Sequence, residues 1–264
     1  MLKILIFSTI TFVGCSSGYL IKNVGNENVW SHVAQPTNSF ASSIGEYSSG
    51  CIAGAVPLPK EGNNYQLLNP EKNRHFGHPK LTQFIARFAV LSPEKLLLGD
   101  MSQPRGGPMP NGHSSHQIGL DVDIFYDKEK SSLVSMDGKE LLQEKWKKNY
   151  TSMLLLAAQD SMVDRVFVNA AIKKYLCKNF AHHAAVYKIR PWFFHDYHFH
   201  VRLKCPSDSP SCKSQESMST NNGCDGTLEW WFTEEALSIW LNKSNNVVER
   251  TIELPNRCKE IINP

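Results

Sequence analysis

Residues 113–123, HSSHQIGLDVD, and residues 195–200, HDYHFH, are the two stretches of this chain that decide its fold. In the first stretch, apolar residues fall at every second position from 118 onward and put Asp123 on the opposite face of an extended strand. In the second stretch, His198 and His200 alternate with apolar residues and therefore share a face. A period of two is typical of β-strands. We predict two strands that each pack an apolar face on the core and carry polar groups on the other.

The polar faces of these two strands carry the groups that bind divalent metals. The two stretches hold five of the ten histidines of the chain, together with acidic side chains. A zinc ion held by two histidines and one carboxylate keeps a fourth position for water, which is the catalytic arrangement rather than the closed structural one. The pattern therefore indicates a catalytic metal site.

The composition is that of an ordinary folded domain. Of the 264 residues, 41% are hydrophobic and 20% are charged, and the formal net charge is +3. A chain of this size can bury a full core and sits at the upper end of a single domain. The mild charge and the lack of a basic stripe give no support to a nucleic-acid-binding role.

The N-terminal residues have the features of an export signal. Lys3 precedes an apolar run, Ile4–Val13, which is too short to span a membrane and is followed by Gly14 and Cys15. Residues 12–15, FVGC, approximate a bacterial lipobox. We therefore expect cleavage before Cys15, lipidation of its thiol, and a periplasmic protein tethered to the outer membrane. The alternative is an ordinary export signal that is cut nearby.

These features divide the chain into three parts. We expect a lipoprotein-type signal peptide at residues 1–14, a polar tether at residues 15–34, and a single domain at residues 35–264. No internal repeat and no second apolar stretch long enough to span a bilayer is found in the sequence.

Six further cysteines predict a disulfide framework. They are Cys51, Cys177, Cys205, Cys212, Cys224 and Cys258. An even number in an exported chain predicts three disulfides, although spacing alone leaves the pairing open. Use of these cysteines as zinc ligands is disfavoured because no Cys-x-x-Cys pair exists.

The remaining patterns predict helices around a sheet. Apolar residues from Leu81 to Ala89 recur at helical spacing, and Leu96–Leu98 form the apolar centre of a short strand. Further elements are predicted as helices at 139–160, at 171–180 and from Thr233 onward, and as a strand at 165–169. The fold class is therefore α+β, with a central, mostly antiparallel sheet, flanking helices and the metal site on the sheet face.

Two long motifs resemble those of a known enzyme family. The run from Asn111 to Phe125 resembles the metal motif of the penicillin-insensitive murein endopeptidases, the MepA family, and the run from Arg190 to Cys205 resembles their second motif. These enzymes belong to the wider lysostaphin, D-Ala-D-Ala metallopeptidase and hedgehog-like fold group. Further similar segments are Ser49–Gly54, Phe76–Pro79, Ser135–Glu140, Ala157–Asp160 and Val166–Ile172. The resemblance runs in order from about Gln35 to the C-terminus.

The resemblance implies a role for each histidine of the two motifs. It makes His116, Asp123 and His200 the zinc ligands. His198 lies two residues before a ligand on the same strand face, and it is better placed to transfer a proton than to bind the metal. His195 is expected to orient substrate, to stabilise an oxyanion or to hold water, and a supporting hydrogen bond to the site is the alternative.

A second zinc ion is left open by the same comparison. His113 and Asp137 match further metal positions of the family pattern. The family residue three positions after Asp137 is a histidine, and this chain has Glu140 there. Glutamate is a competent zinc ligand, but it changes the charge and softness of the site. One zinc ion is expected, and Glu140 makes the second one doubtful.

The resemblance also implies the substrate and the disulfide pairing. It pairs Cys51 with Cys258, Cys177 with Cys224, and Cys205 with Cys212. The implied activity is a zinc endopeptidase that cleaves D-alanyl–meso-diaminopimelyl cross-links of peptidoglycan. The alternatives are a D,D-carboxypeptidase or dipeptidase of the same fold, and a non-catalytic, zinc-stabilised cell-wall-binding module. A membrane is expected as a partner only through the lipid anchor, and the oligomeric state is left open.

Three other groups have two readings each. Asp121 shares a face with Asp123 and either accepts a hydrogen bond from a ligand histidine or is a solvent-exposed strand residue. His78, before the first helix, is expected to cap or pack. Trp192, Trp230 and Trp231 either line a groove or belong to the core.

Overall fold

The computed structural model describes residues 18–23, 28–110, 113–218, 221–242 and 250–263. The predicted signal peptide at residues 1–14 and the predicted lipidation site Cys15 lie outside the described residues, and so do Asn111 and Gly112 of the first motif. Within the described ranges, no helix has the length and apolar character needed to cross a membrane.

The chain alternates short strands and helices. Its strands are β1 (Gly18–Asn23), β2 (Ser42–Glu46), β3 (Ser49–Ala53), β4 (Val56–Pro57), β5 (Glu61–Gly62), β6 (Tyr65–Leu67), β7 (Phe76–Gly77), β8 (Leu96–Leu98), β9 (Asp121–Phe125), β10 (Val163–Val168), β11 (Ile189–Pro191), β12 (His198–Leu203) and β13 (Arg250–Pro255). Its helices are α1 (Pro79–Leu91), α2 (Lys148–Gln159), α3 (Ala170–Phe180), α4 (Gly226–Glu229), α5 (Glu234–Asn242) and α6 (Asn256–Ile262).

A seven-stranded sheet forms the centre of the fold, in the order β11-β10-β12-β9-β8-β6-β5. Four of its neighbouring pairs are antiparallel, and two, β10 with β11 and β6 with β8, are parallel. Helices α1 and α2 contact each other, and α2 contacts β10. The prediction of an α+β fold with a mostly antiparallel sheet is confirmed.

The two faces of the central strands differ as the period-two pattern predicts. Val122, Ile124, Phe199 and Val201 join the main hydrophobic core with the apolar side of α1. The opposite face carries the carboxylates and imidazoles, yet every residue of β9 and β12 is buried. Polar groups on this face are therefore covered by other parts of the chain, and burial obliges each of them to find a partner.

Most of the predicted helices are confirmed, with one correction. Helix α1 follows the predicted apolar spacing and is capped by His78, whose Nδ1 accepts a hydrogen bond from the Lys80 backbone nitrogen at 3.1 Å. The helix predicted from residue 139 starts only at Lys148, so that prediction was wrong for its first turns. The segment instead forms a turn at Ser135–Gly138, a β-bridge between Val134 and Leu141, and a further turn in which the backbone nitrogens of Lys145 and Trp146 donate to the Leu142 carbonyl.

Part of the segment predicted as a polar tether is folded onto the domain. Residues 18–23 pair with β13 as an antiparallel strand. Trp30 lies in a short 3-10 helix, Val29–His32, and is fully buried in a cluster with Ile44 and Leu254. An indole of this size gains more from burial than from exposure, which is why a polar stretch around it does not stay free.

Three disulfides form, with the pairing implied by the family resemblance. They join Cys51 to Cys258, Cys177 to Cys224, and Cys205 to Cys212. The first connects residues 207 positions apart and fixes the C-terminal helix α6 on β3. Long loops of this kind constrain the unfolded chain most strongly.

Candidate metal centre

The two motif strands are neighbours and bring their polar faces together. Strands β9 and β12 pair antiparallel, with His200 opposite Asp123 and Arg202 opposite Asp121. On the far side of β12, Phe167 of β10 lies opposite His200. Residues that face each other across a strand pair have their side chains in contact range. The register therefore places an imidazole directly beside a carboxylate.

His116 reaches the same place from the loop before β9. Its backbone adopts a φ of 67°, in the left-handed region that residues other than glycine rarely occupy. Its backbone nitrogen donates to Asp121 Oδ2 at 3.0 Å, and its Nδ1 bonds to the Met101 carbonyl at 2.8 Å. Because a carbonyl only accepts, Nδ1 carries the hydrogen. The other ring nitrogen, Nε2, lies 3.4 Å from Asp123 Oδ1.

Four histidines surround the Asp123 carboxylate. His113, His116 and Asp123 offer ligand atoms that all lie within 4.8 Å of one another, and these three could hold a metal ion. The Nδ1 of His200 lies 3.2 Å from Asp123 Oδ1, and the Nε2 of His198 lies 3.7 Å from the same oxygen. The ligands predicted from the family pattern are thus brought together, and His113 joins them.

The Asp123 carboxylate has the features expected of a metal ligand. Its Oδ1 is buried and has no hydrogen-bond partner among the described residues, although three imidazole nitrogens surround it. A buried anionic oxygen without a bonding partner is energetically unfavourable. A divalent cation bound by this oxygen and by imidazole nitrogens would satisfy it, and such a donor set suits zinc and related metals. Asp123 and the histidines around it therefore fit a zinc ion or a related divalent metal.

Asp121 and Arg202 fix the positions of His116 and His200 through hydrogen bonds. Asp121 is fully buried, and its Oδ1 accepts from His200 Nε2 at 2.9 Å and from Arg202 Nε at 2.8 Å. The Arg202 guanidinium packs over the rings of Tyr47 and Phe167, at 4.3 and 5.0 Å from their centroids. Since Nε2 of His200 donates to the carboxylate, its Nδ1 is the nitrogen left for a metal. Of the two roles considered for Asp121, the structure therefore shows the hydrogen-bond acceptor and not the solvent-exposed strand residue.

Burial and the carboxylates set opposite protonation states within this cluster. Burial by itself would lower the pKa of His116, but Asp123 and Asp121 raise it to about 9. Burial would raise the pKa of Asp121, but Arg202 and His200 keep it low, so this carboxylate stays ionised. Burial lowers the pKa of His198 to about 4, against the opposing pull of Asp123. His198 is therefore neutral at neutral pH and able to accept a proton.

His195 lies beside His198 at the edge of the site. The two ring centroids are 4.8 Å apart. The Nδ1 of His195 bonds to the Phe193 carbonyl at 2.6 Å, so Nδ1 carries the hydrogen and Nε2 keeps its lone pair. Burial, with the neighbouring imidazoles, lowers the pKa of His195 well below its usual value. In this state its free nitrogen is a hydrogen-bond acceptor.

Residues 43–263 match the family model described as penicillin-insensitive murein endopeptidase. The chain belongs to this family. Similar curated proteins carry the same description, including those of Salmonella typhimurium (strain LT2), Salmonella enteritidis PT4 and Salmonella newport (strain SL254). Each is 41% identical to this chain over 221 residues, which is 77% of this chain and 81% of the relative.

Two residues that match metal positions of the murein endopeptidase pattern lie apart from the histidine cluster. Asp137 and Glu140 are exposed and bond within their own loop. The Asp137 carboxylate accepts from the Ser135 hydroxyl and the Lys139 backbone nitrogen, and Glu140 donates its backbone N–H to Ser135 Oγ. Neither joins the group of ligand atoms found among the described residues. A second zinc ion at these positions stays a prediction.

Sequence patterns missed a third carboxylate beside this histidine cluster, in addition to Asp121 and Asp123. Asp100 lies two residues after the end of β8, and its Oδ2 lies 3.0 Å from His113 Nε2 and 2.8 Å from Arg74 Nη1. Burial would raise its pKa, but His113 and Arg74 lower it to about 2. The only sequence signal was a lone aspartate shortly after a short apolar strand. Asp100 thus orients His113 as Asp121 orients His200.

Proposed function

We propose that this protein is a zinc-dependent murein endopeptidase that hydrolyses D-alanyl–meso-diaminopimelyl cross-links in bacterial peptidoglycan. The observation that carries the proposal is the buried Asp123 oxygen, which has no hydrogen bond and is surrounded by imidazole nitrogens. Family membership supports the reaction class, and the names of the Salmonella relatives support the substrate.

His116, Asp123 and His200 would hold the zinc ion, with His113 as a further ligand beside them. When bound, zinc polarises a peptide carbonyl and lowers the pKa of water to about 7. The Met101 carbonyl and the Asp121 carboxylate fix the ring nitrogens of His116 and His200 that face Asp123. The protein therefore supplies a prearranged ligand set that needs little reorganisation.

His198 is the proposed proton carrier. Neutral at working pH, it takes a proton from the attacking water as the carbon–oxygen bond forms, and it gives this proton to the leaving amine as the carbon–nitrogen bond breaks. His195 presents a lone pair at Nε2 and would accept a hydrogen bond from the water. This tautomer makes a role as oxyanion donor less suitable, because that role needs an N–H at the same atom.

The described cysteines offer no alternative nucleophile. All six are bound in disulfides, so no thiolate is present for covalent catalysis in this part of the chain. Hydrolysis without a covalent serine or cysteine intermediate is consistent with the word penicillin-insensitive in the family description. A protein that acts on murein belongs in the periplasm, and we propose that Cys15 carries the lipid anchor that holds it there.

The test is digestion of purified cross-linked muropeptide dimers, read by mass spectrometry. Zinc-loaded enzyme should convert dimers to monomers, chelator should stop the reaction, and added zinc should restore it. His116→Ala and His200→Ala should lose activity, whereas His182→Ala is the matched control because His182 is exposed and outside the site. Release of free alanine without separation of dimers would replace the proposal with a carboxypeptidase. Intact dimers with zinc bound would favour a wall-binding module.

A further inference from the structure

Four aromatic side chains form a partly exposed surface beside the histidine cluster, which we call the aromatic shelf: Trp192, Phe193, Trp230 and Trp231. Ring centroids are 4.8 Å apart for Phe193 and Trp231, 5.3 Å for Trp230 and Trp231, and 6.1 Å for Trp192 and Trp231. Trp192 is 51% exposed and Trp230 is 40% exposed. Large apolar rings grouped at the surface mark a binding site more often than a core.

The aromatic shelf borders a shallow hollow. Trp192, Phe193 and Trp231 supply its aromatic lining, and the rest of the lining consists of Gly138, Asn169, Ala170, Ala236 and Leu237. The hollow thus combines flat apolar rings with a buried amide and with the backbone of the Ser135–Gly138 turn. A ligand with one apolar face and polar edges matches such a lining.

The shelf is continuous with the proposed catalytic residues. The Phe193 carbonyl binds His195 Nδ1 at 2.6 Å. The ring of Phe167 lies 5.8 Å from Trp192 and 5.4 Å from His200. A ligand on the shelf therefore lies only a few residues of extended chain away from the metal centre, at about 3.3 to 3.6 Å per residue.

The stretch of chain just before Trp230 and Trp231, at residues 221–224, is tied to the rest of the domain. The Cys177–Cys224 disulfide ties it to α3. The buried Lys173 donates from Nζ to the Asn222 carbonyl, and Arg190 Nη2 donates to the Asn221 carbonyl at 3.1 Å. Preorganisation of a surface lowers the entropy lost when a ligand binds. A disulfide and two cations that fix a polar surface segment are expected of a binding site rather than of a linker.

Resting on the proposed function, we infer that the aromatic shelf binds a sugar ring of the peptidoglycan glycan strand while the attached peptide reaches the histidine cluster. Of the parts of peptidoglycan, the stem-peptide residues are small or charged, whereas an N-acetylated pyranose has a broad face of C–H groups. These weakly positive hydrogens pack on the negative face of an indole. The methyl of the N-acetyl group suits the aliphatic lining of the hollow, and the polar atoms at the ring edge suit Asn169 and the Gly138 backbone.

The first experiment compares two substrates that differ only in their sugars. One is a cross-linked muropeptide dimer that carries its disaccharides, and the other is the same dimer after an amidase has removed them. We expect the zinc-loaded enzyme to show a kcat/KM about tenfold higher for the sugar-bearing dimer, mainly through KM. In Trp192→Ala and in Trp230→Ala this ratio should fall toward one.

Matched variants separate stacking from general damage. Trp192→Phe keeps an aromatic face and should retain most of the ratio. Phe40→Ala removes an aromatic side chain that is 98% exposed and outside the shelf, and it should leave the ratio unchanged. A wild-type ratio near one, or a ratio that neither tryptophan variant alters, would overturn the inference.

The second experiment tests binding without catalysis. A tetramer of N-acetylglucosamine, added to the zinc-loaded protein, should shift the indole N–H resonances of Trp192, Trp230 and Trp231 in NMR spectra. Unshifted indole resonances overturn the inference, as does a response to anionic lipid vesicles but not to the tetramer. If the enzyme cleaves neither dimer, the proposed function fails, and the tetramer titration still decides whether the shelf binds sugars.

Discussion

Replacing Asp121 by asparagine should damage both the stability of the fold and its affinity for metal. The carboxylate accepts hydrogen bonds at both oxygens, from His200 and Arg202 at Oδ1 and from the backbone nitrogen of His116 at Oδ2. An asparagine amide must turn its NH2 group toward one of these donors, so at least one buried donor is left without an acceptor.

The loss of charge makes the effect larger than the loss of one hydrogen bond. The side chains of Asp121 and Arg202 are 0% and 8% exposed. Asp121→Asn therefore leaves the Arg202 guanidinium buried without its counterion. Breaking a buried pair in this way costs about 3 to 5 kcal/mol. The His200 ring also loses the acceptor that fixes its orientation, and such a loss weakens metal affinity by about ten- to a hundredfold.

Two assays measure these effects separately. Urea unfolding, with all three disulfides intact, gives the free energy of unfolding, and competition with a chromophoric chelator gives the zinc affinity. Asp208→Asn is the matched control, because the Asp208 side chain is 57% exposed beside His78 and an exposed pair is worth at most about 1 kcal/mol.

A double variant sharpens the test. In Asp121→Asn with Arg202→Met, the unpaired cation is gone and the apolar stem still packs on Tyr47 and Phe167. Much of the stability should return, while the zinc affinity stays low. The reasoning is refuted if Asp121→Asn unfolds at the same urea concentration as the wild type, or if the double variant loses the sum of the two single effects.

Three further predictions follow from separate parts of the molecule. Removing the Cys51–Cys258 disulfide by alanine substitution should lower the free energy of unfolding by about 5 kcal/mol, and removing Cys205–Cys212 by about 2 kcal/mol, because the loops differ in length. Equal losses in urea would contradict the chain-entropy account. Burial lowers the pKa of Lys173 to about 7, below the 10.5 of the unfolded chain. The unfolded chain therefore binds the proton more tightly, and the free energy of unfolding should increase as the pH rises above about 7, by up to about 1.4 kcal/mol per pH unit. Lys173→Met should remove this slope, and an unchanged slope would assign it to another group. His198→Ala should lower kcat by about a hundred- to ten-thousandfold with little change in zinc affinity, whereas a parallel loss of bound zinc, measured in the same samples, would make His198 a ligand.

The sequence predicted the strands of the site better than their surroundings. Alternation within each motif is a local signal, so the faces of Asp123 and His200 could be assigned without knowledge of their neighbours. Whether that face is covered is decided by distant segments. The carboxylate of Asp100 and the guanidinium of Arg74 complete the site from other parts of the chain, and no periodic pattern marks them.

The errors of sequence reasoning have a similar origin. The segment from residue 139 has helical apolar spacing, yet the bridge from Val134 to Leu141 and the turn that follows Leu142 take the place of its first helical turns. Trp30 lies in a polar stretch, and only the tertiary cluster around it shows that it belongs to the core. Trp192 shows the reverse case, since an aromatic residue next to core strands is half exposed.

The order of the disulfides along the chain has a consequence for how this protein matures. The pairs are nested: Cys205–Cys212 lies inside Cys177–Cys224, which lies inside Cys51–Cys258. Of the six cysteines that form these disulfides, Cys51 and Cys177 come first in the chain, and oxidation in chain order would join them to each other. The native pairs could then form by thiol–disulfide exchange. They could also form directly if oxidation starts only after Cys258 has reached the oxidising compartment. This disulfide framework is therefore best matched to a compartment that supplies a disulfide isomerase as well as an oxidant.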